Sequence, residues 1–372
     1  MTDSHTPATA VRQPPEMSAL LAIVRDMVGQ VHPKWKNLHF TPNTHLEREL
    51  GLDSIARTEL HVRIEQALEV SLAEGAGVCA TSPNDLMRAV RAALASDASY
   101  RPCPEQTGAS ESADLLMGEF VNPADTAAIG RRHTPGEWLY AIYTWPVFVI
   151  LGILAWILVV FTPTEHGRRK MAHWCARLLC YCTFTPLKVS GHEHLDPQQA
   201  QIIVANHASY LDGFIVTAAL DIPIHFIVKG ELARILPVRL ILERFGVEFV
   251  DRFNANKGSS DVKRIADKSR NGQSIVFFPE GTFTTFEGLQ PFRMGAFVTA
   301  ARARVPVVPV AIRGARNMVR GDDWFPRRGS IDVTICEPIQ PRGEGWQVAL
   351  GLRDAARHEI AKYCGEPDLV GE

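Results

Sequence analysis

The chain has 372 residues, of which 46% are hydrophobic and 22% are charged, and its formal net charge is -2. This length is enough for two or three domains, and the composition is ordinary for a globular protein. The near-neutral charge lacks the basic excess that nucleic-acid-binding proteins use to contact phosphates. We therefore expect no nucleic-acid partner.

The first part of the chain, residues 17–97, has the pattern of a small domain made of four helices. Apolar residues recur at helical spacing in 17–31 and in 55–70. Thr81-Ser82-Pro83 is a helix start signal, and it predicts a last helix from about Asn84 to Leu94. An all-helical domain of this size has barely enough apolar surface for one core.

Ser54 follows Leu50-Gly51-Leu52-Asp53 at the predicted start of a helix. A helix N-terminus exposes a serine and favours a phosphate, although Asp-Ser alone is better explained by helix capping. The runs 50–55 (Leu-Gly-Leu-Asp-Ser-Ile) and 82–86 (Ser-Pro-Asn-Asp-Leu) resemble the acyl carrier protein family. The resemblance implies that Ser54 carries a covalent 4'-phosphopantetheine, attached by a phosphopantetheinyl transferase, whose thiol holds an acyl chain.

Two segments of contrasting composition follow. Residues 98–136 contain many prolines, glycines and serines, which predicts a flexible linker. Residues 137–185 are predicted to be a hydrophobic helical membrane anchor. The run 138–161 has no charged residue and is long enough, as a helix, to cross a bilayer core of ~30 Å. A second, less apolar helix is expected at 171–184, and a buried core helix is the alternative for the first.

From residue 186 to residue 365 the pattern alternates between strands and helices, which predicts an α/β domain with a mostly parallel sheet. Two prolines in the apolar run 305–310 suggest an edge strand or an irregular strand end. The predicted strands are Gln201–Ala205, His225–Val228, Val247–Val250, Ser274–Phe278, Val305–Ala311 and Ile331–Ile335.

His207 and Asp212 follow the first of these strands, in Asn206-His207-Ala208-Ser209-Tyr210-Leu211-Asp212. Strand-to-helix turns at the carboxyl edge of α/β sheets are where ligands bind. A histidine can act as a base near neutral pH, and an aspartate can fix its tautomer. The spacing is weak by itself, and it requires His207 in the turn and Asp212 on the next helix.

Three further blocks accompany this pair in order: 246–252, which contains Arg252, 277–282 and 305–310. Together the four blocks resemble the glycerolipid acyltransferase family, of the lysophosphatidate, PlsC-like type, over roughly residues 138–340. The resemblance implies an O-acyltransferase in which His207 deprotonates an acceptor hydroxyl, Asp212 orients His207, and the hydroxyl attacks the thioester directly. It further implies acceptor-binding roles for these residues: Arg252, Glu280, Gly281, Thr282 and Arg293.

One position departs from that family. Phe283 stands where an arginine often follows Glu-Gly-Thr, which removes a bidentate phosphate ligand. The acceptor is therefore expected to be a lysophospholipid-like molecule or another lipid, with a glycolipid, an amino-acid lipid and a polyene-like precursor as alternatives. The paired His192 and His194 lack a third ligand at a sensible spacing, so no metal is expected.

The carrier and acyltransferase domains must meet on one side of the membrane. We therefore expect the apolar segment to dip into one leaflet, or to pair with 171–184, at the cytoplasmic face of the inner membrane. The basic residues 168–170 would lie among anionic headgroups. Two rival interpretations stay open, an acyl-CoA-dependent enzyme with a regulatory carrier domain and a non-catalytic acyl-carrier scaffold.

Overall fold

The computed structural model describes residues 17–33, 35, 38–47, 49–73, 76–95, 134–229, 236–250, 255–281, 287–319 and 325–369. The chain divides into two compact units, Met1–Gln106 and Thr107–Glu372. The predicted linker 98–136 lies outside the described residues up to 133. Its last predicted residues belong to a helix, because Thr134 caps a helix that begins at Pro135.

The described part of the first unit is helical, as predicted. Helix α1 buries one apolar stripe, which includes Leu20 and Val24, against its neighbours. Helix α4 begins with Pro83 behind a capping box in which Ser82 and Asp85 satisfy each other's backbone N–H groups. The helices are α1 (Met17–Val31), α2 (Ser54–Leu68), α3 (Ala76–Cys79) and α4 (Pro83–Leu94).

The second unit begins with two long helices, α5 (Pro135–Phe161) and α6 (Glu165–Cys182). Within the described residues, α5 is the one helix long and apolar enough to cross a membrane, and most of its surface is exposed. Phe325 packs edge-on against Trp138 near its N-terminal end. Helix α8 (Leu236–Arg244) contacts α5 as well. Helix α5 therefore lies along the surface of the α/β domain.

Seven strands form one sheet in the order β1-β7-β6-β2-β5-β3-β4. All neighbouring pairs are parallel except β6 and β7, so the predicted mostly parallel α/β fold is confirmed. The strands are β1 (Leu187–Ser190), β2 (Ile202–Ala205), β3 (Ile224–Lys229), β4 (Glu248–Val250), β5 (Ser274–Phe277), β6 (Val307–Arg313) and β7 (Ile331–Ile335).

Five helices of this unit come after α5 and α6. Four of them connect strands, and the last follows the final strand. The core lies between the sheet and the helices, where the side chains of β2, β5 and β6 are almost all buried. The helices are α7 (Asp212–Ala219), α8 (Leu236–Arg244), α9 (Ala255–Arg270), α10 (Gly295–Ala303) and α11 (Trp346–Cys364). Strand β1 and helix α11 were absent from the sequence-based prediction.

Residues 307–310 of the proline-containing run belong to β6, which is an internal strand and not an edge, whereas Val305 and Pro306 precede the strand. The antiparallel pairing of β6 with β7 starts one residue after Pro309, at Val310 opposite Ile335. The carbonyl of Pro309 accepts a hydrogen bond from Cys336 at 2.9 Å, on the β7 side. A backbone N–H at Pro309 would point to that same side, at the end of β7, so the proline leaves the parallel pairing of β6 with β2 intact.

Candidate active site

Two adjacent parallel strands, β2 and β5, bring their carboxyl ends together at one edge of the sheet. His207 follows β2 in the strand-to-helix turn, and Glu280 follows β5. Asn206 fixes the turn from below, because its side chain donates to the carbonyl of Ile312 at 2.9 Å and accepts from the N–H of Ile312 at 2.7 Å. The fold thus places two sequence-predicted site residues side by side.

The imidazole Nδ1 of His207 lies 2.8 Å from Oδ2 of Asp212. Asp212 is the first residue of α7 and is fully buried, whereas the His207 side chain is 19% exposed. Oδ2 also accepts the backbone N–H groups of Ala208 and Ser209, at 2.7 and 2.8 Å. Because Oδ2 is the acceptor in all three contacts, Nδ1 of His207 is the donor and the lone pair is left on Nε2.

Phe278 supports the other side of the imidazole. Its ring stacks on that of His207, with 4.5 Å between ring centroids and an interplanar angle of 26°. The aromatic face and the buried carboxylate together restrict the ring to one orientation. A side chain held in this way can abstract a proton without first reorganising.

Glu280 connects the turn to the segment before α10. One carboxylate oxygen accepts the backbone N–H of His207 at 2.6 Å, and the other accepts that of Gln290 at 2.9 Å. Glu280 is 6% exposed. The structure therefore gives Glu280 a contact with the backbone of His207, which its sequence-based assignment to an acceptor pocket did not include.

Burial raises the pKa of Glu280 from its ordinary value of 4.5 to about 7. The two backbone N–H groups oppose this rise because they stabilise the ionised form. Glu366 raises the pKa further, and Arg316 lowers it. The carboxylate that holds His207 is consequently poised to change charge near neutral pH.

Gly281 and Arg293 lie together beside Glu280. Gly281 has a φ of +80°, a region that favours glycine, and a Cβ built there would lie 2.7 Å from Nε of Arg293. The exposed Arg293 therefore passes over Gly281, next to the turn that contains His207. The other two predicted binding residues, Arg252 and Thr282, lie outside the described residues.

Ser209 has the wrong environment for a nucleophile. It is fully buried, and its hydroxyl donates to the carbonyl of Val319 at 3.0 Å. Sequence reasoning overlooked Asn206, Phe278 and Gln290 as site residues. The first two stand directly beside predicted motif residues, but Gln290 acts through its backbone N–H, which leaves no signature in the sequence.

In the first unit, Ser54 is the first residue of α2 and its side chain is half-buried. The preceding Asp53 is the N-cap, and its carboxylate accepts the N–H of Ala56 at 2.8 Å. Capping is therefore performed by Asp53, while the hydroxyl of Ser54 lies at a helix N-terminus. This environment suits a phosphodiester, because N–H groups and the helix dipole point toward it.

Two protein families match the chain. The family described as "Acyltransferase" matches residues 186–313, and the family described as "Phosphopantetheine attachment site" matches residues 18–90. In the solved structure of a 1-acyl-sn-glycerophosphate acyltransferase, PlsC, from Thermotoga maritima, the same fold recurs. The TM-score is 0.52 at 20% identity, over 62% of this chain and 96% of that one.

Curated relatives extend the match. A chloroplastic 1-acyl-sn-glycerol-3-phosphate acyltransferase of Brassica napus is 30% identical, over 58% of this chain and 64% of its own length. A chloroplastic Arabidopsis thaliana protein of the same description is 29% identical, over 51% of this chain and 57% of its own length. This chain thus spans less than two thirds of either plant protein.

A lyso-ornithine lipid O-acyltransferase of Pseudomonas aeruginosa is 30% identical, over 52% of this chain and 80% of its own length. The two family matches lie on the two compact units, one on each. The chain therefore belongs to the PlsC-like acyltransferase family and carries a phosphopantetheine attachment domain ahead of its acyltransferase domain.

Proposed function

We propose that this protein is an O-acyltransferase that moves a fatty acyl chain from a phosphopantetheine thioester to a hydroxyl of a lipid acceptor, with His207 as the general base. The observation that carries the proposal is the 2.8 Å contact between Nδ1 of His207 and Oδ2 of Asp212 at the carboxyl edge of the sheet. A histidine held in this tautomer is what removal of a hydroxyl proton requires.

The residues perform the transfer as follows. Nε2 of His207 takes the proton of the acceptor hydroxyl as its oxygen attacks the thioester carbonyl. The buried Asp212 carboxylate stabilises the imidazolium that forms. When the thiolate leaves, His207 returns the proton to it, so the products are an ester and a free thiol. No side chain of the acyltransferase domain becomes acylated during the transfer.

Ser54 would hold the acyl donor. When attached, phosphopantetheine supplies a thiol at the end of a long arm, and a phosphopantetheinyl transferase would install it. The half-exposed hydroxyl at the N-terminus of α2 fits this attachment, and the family match over residues 18–90 supports it. The predicted linker 98–136 would give the carrier domain the reach to present its acyl chain to His207.

Helix α5 would bind the membrane from one side. Its exposed apolar face suits the acyl region of one leaflet. Its N-terminal end contacts the α/β domain through Phe325 and Arg328, which lies over the ring of Tyr140. We place both domains at the cytoplasmic face of the inner membrane, because an acyl chain on Ser54 must reach His207 on one side of the membrane.

The acceptor is proposed to be a lysophospholipid-like molecule or a related lipid with a free hydroxyl. Arg293 beside Gly281 supplies a cation at the site, and Arg252 and Thr282 would complete the headgroup contacts. Phe283 in place of the arginine common in this family weakens a phosphate site. The lyso-ornithine lipid acyltransferase among the relatives makes an amino-acid lipid the second acceptor to test.

The experiment must distinguish two possible acyl donors, the carrier thioester and acyl-CoA. With purified protein in detergent, we would measure ester formation from acyl-phosphopantetheinyl carrier and from acyl-CoA, using lysophosphatidate, lyso-ornithine lipid and a lyso-glycolipid as acceptors. The proposal predicts transfer from the carrier thioester that His207→Ala abolishes. Transfer from acyl-CoA alone would favour the enzyme with a regulatory carrier domain, and product formation unaffected by His207→Ala would favour the scaffold.

A further inference from the structure

The chain turns back after α11, and residues 365–369 lie across the loop 287–290. The carbonyl of Pro367 accepts the N–H of Leu289 at 2.8 Å, and Leu289 forms a parallel bridge with Asp368. Leu369 packs where a Cβ of Gly288 would lie, 2.6 Å from that position. We call residues 365–369 the C-terminal strap.

Two ion pairs fasten the strap. Glu366 binds Arg316 through two contacts of 2.7 Å, and the same carboxylate accepts the N–H of Gly288 at 3.0 Å. Asp368 accepts from Nε of Arg357 at 3.0 Å and also from a second guanidinium nitrogen. Both arginines are buried, at 9% and 7% exposed. Buried guanidinium–carboxylate pairs of this kind fix geometry more strongly than exposed ones.

Arg357 extends this network to the active site. Its guanidinium donates to the carbonyl of Leu289 at 2.7 Å and to that of Gln290. The N–H of Gln290 in turn donates to Glu280, whose other oxygen accepts the N–H of His207. An unbroken series of hydrogen bonds thus runs from the strap through the loop 287–290 to the backbone of His207.

We infer that Glu366 and Asp368 are positioning residues for acyl transfer, because they hold the loop that keeps Glu280 against His207. The inference rests on the proposed role of His207 as the base. Neither carboxylate touches His207, so each acts through Gln290 and Glu280. A displacement of the base by a fraction of an ångström costs rate without weakening the binding of either substrate.

The test compares two half-buried aspartates that each pair with an arginine. Asp368→Asn weakens the strap, whereas Asp261→Asn weakens a pair with the more exposed Arg264 within α9, where the contact is 2.9 Å. In the full-length, carrier-loaded protein, Asp368→Asn is expected to lower kcat about tenfold or more, with KM for the acceptor within about twofold of wild type. Asp261→Asn should keep the wild-type kcat.

A structural role alone would give a different result. If kcat falls equally in the two variants, and only as far as the fraction of folded protein falls in thermal unfolding, the inference is overturned. If His207→Ala stays active, the proposed function itself fails. If His207→Ala is inactive while Asp368→Asn has wild-type kcat, only the role of the strap fails.

A second variant covers the case in which Asp368→Asn does not fold. Glu366→Gln keeps the shape of the strap but removes a negative charge that raises the pKa of Glu280. The charged and titratable groups described near Glu280 include His207 and Arg293 of the site as well as Glu366, Arg316 and the thiol of Cys364. The acidic limb of the pH–kcat profile should move to lower pH in this variant. Glu366→Gln should also lower kcat with little change in KM for the acceptor, because it weakens the pair with Arg316 and the bond to Gly288. A wild-type kcat in this variant would contradict the inference.

Discussion

The backbone N–H of His207 donates to the carboxylate of Glu280 at 2.6 Å, so His207 is held at its main chain as well as at its ring. Asp212 fixes the ring and Glu280 fixes the turn. The two buried carboxylates have different partners. One oxygen of Asp212 accepts three hydrogen bonds, whereas each oxygen of Glu280 accepts one backbone N–H. This difference separates their predicted effects.

Glu280 should make the stability of the protein depend on pH. Because its pKa is raised from 4.5 to about 7, the folded state holds this proton more tightly than the unfolded chain. The stabilisation is complete below pH 4.5 and is lost as pH rises through about 7. Over that window the wild-type free energy of unfolding should fall by about 3 kcal/mol more than that of Glu280→Gln, at ~1.4 kcal/mol per pKa unit. Denaturant titrations at several pH values test this, and parallel curves would contradict it.

Asp212→Asn should abolish most activity while leaving the fold intact. An asparagine keeps the size of the side chain but no longer fixes the tautomer of His207 or stabilises its cation. By comparison with the aspartate of serine-protease triads, kcat should fall by about 10³ to 10⁴. Steady-state rates, compared with an exposed control such as Asp267→Asn on α9, measure the effect. A loss of less than tenfold would show that His207 works without Asp212.

Gly281 and Gly272 form a matched pair for backbone and side-chain effects. Both have positive φ, +80° and +92°, but a Cβ at Gly281 meets Arg293 whereas one at Gly272 meets nothing within 4 Å. Alanine at either position should cost about 1 kcal/mol or more of stability through strain. Only Gly281→Ala should also raise the KM for the lipid acceptor, because it displaces Arg293. Equal KM values in the two variants would exclude Arg293 from acceptor binding.

The exposed face of α5 should control membrane binding. Ile150 and Ile153 are 64% and 56% exposed, so aspartate at both positions should leave folding unchanged. Each charge would cost ~2.5 kcal/mol or more in the hydrocarbon region, so the bound fraction in vesicle flotation should fall sharply. Val62→Asp, at an exposed apolar residue of the carrier domain, is the control. Equal binding of both variants would mean that α5 does not enter the bilayer.

Local sequence patterns predicted most of the fold and the central pair of the site. The buried apolar runs predicted β2, β3, β4, β5 and β7 to within one residue at each end. Strand β1 was overlooked because it is a short edge strand. Its side chains alternate between partly buried and exposed, so it contains no buried apolar run. Helix α11 was overlooked because its buried residues include two arginines, Arg353 and Arg357, which disguise its apolar face.

The contacts of Glu280 could not be predicted in the same way. Its partners are the main-chain N–H groups of His207 and Gln290, and any residue type can supply these. The C-terminal strap reaches the site from far along the chain. Glu366, for example, pairs with Arg316, 50 residues earlier in the sequence. No local periodicity encodes such a pairing, so only the folded structure reveals it.

The central claim is that an acyl chain on Ser54 is transferred by His207. The most direct measurement is the intact mass of protein loaded with phosphopantetheine and a labelled acyl chain, taken before and after addition of a lipid acceptor. The account predicts acylation that Ser54→Ala abolishes, followed by loss of the acyl mass that requires His207. Failure of Ser54 to load, or loss of the acyl chain to the acceptor in His207→Ala as fast as in wild type, would contradict it.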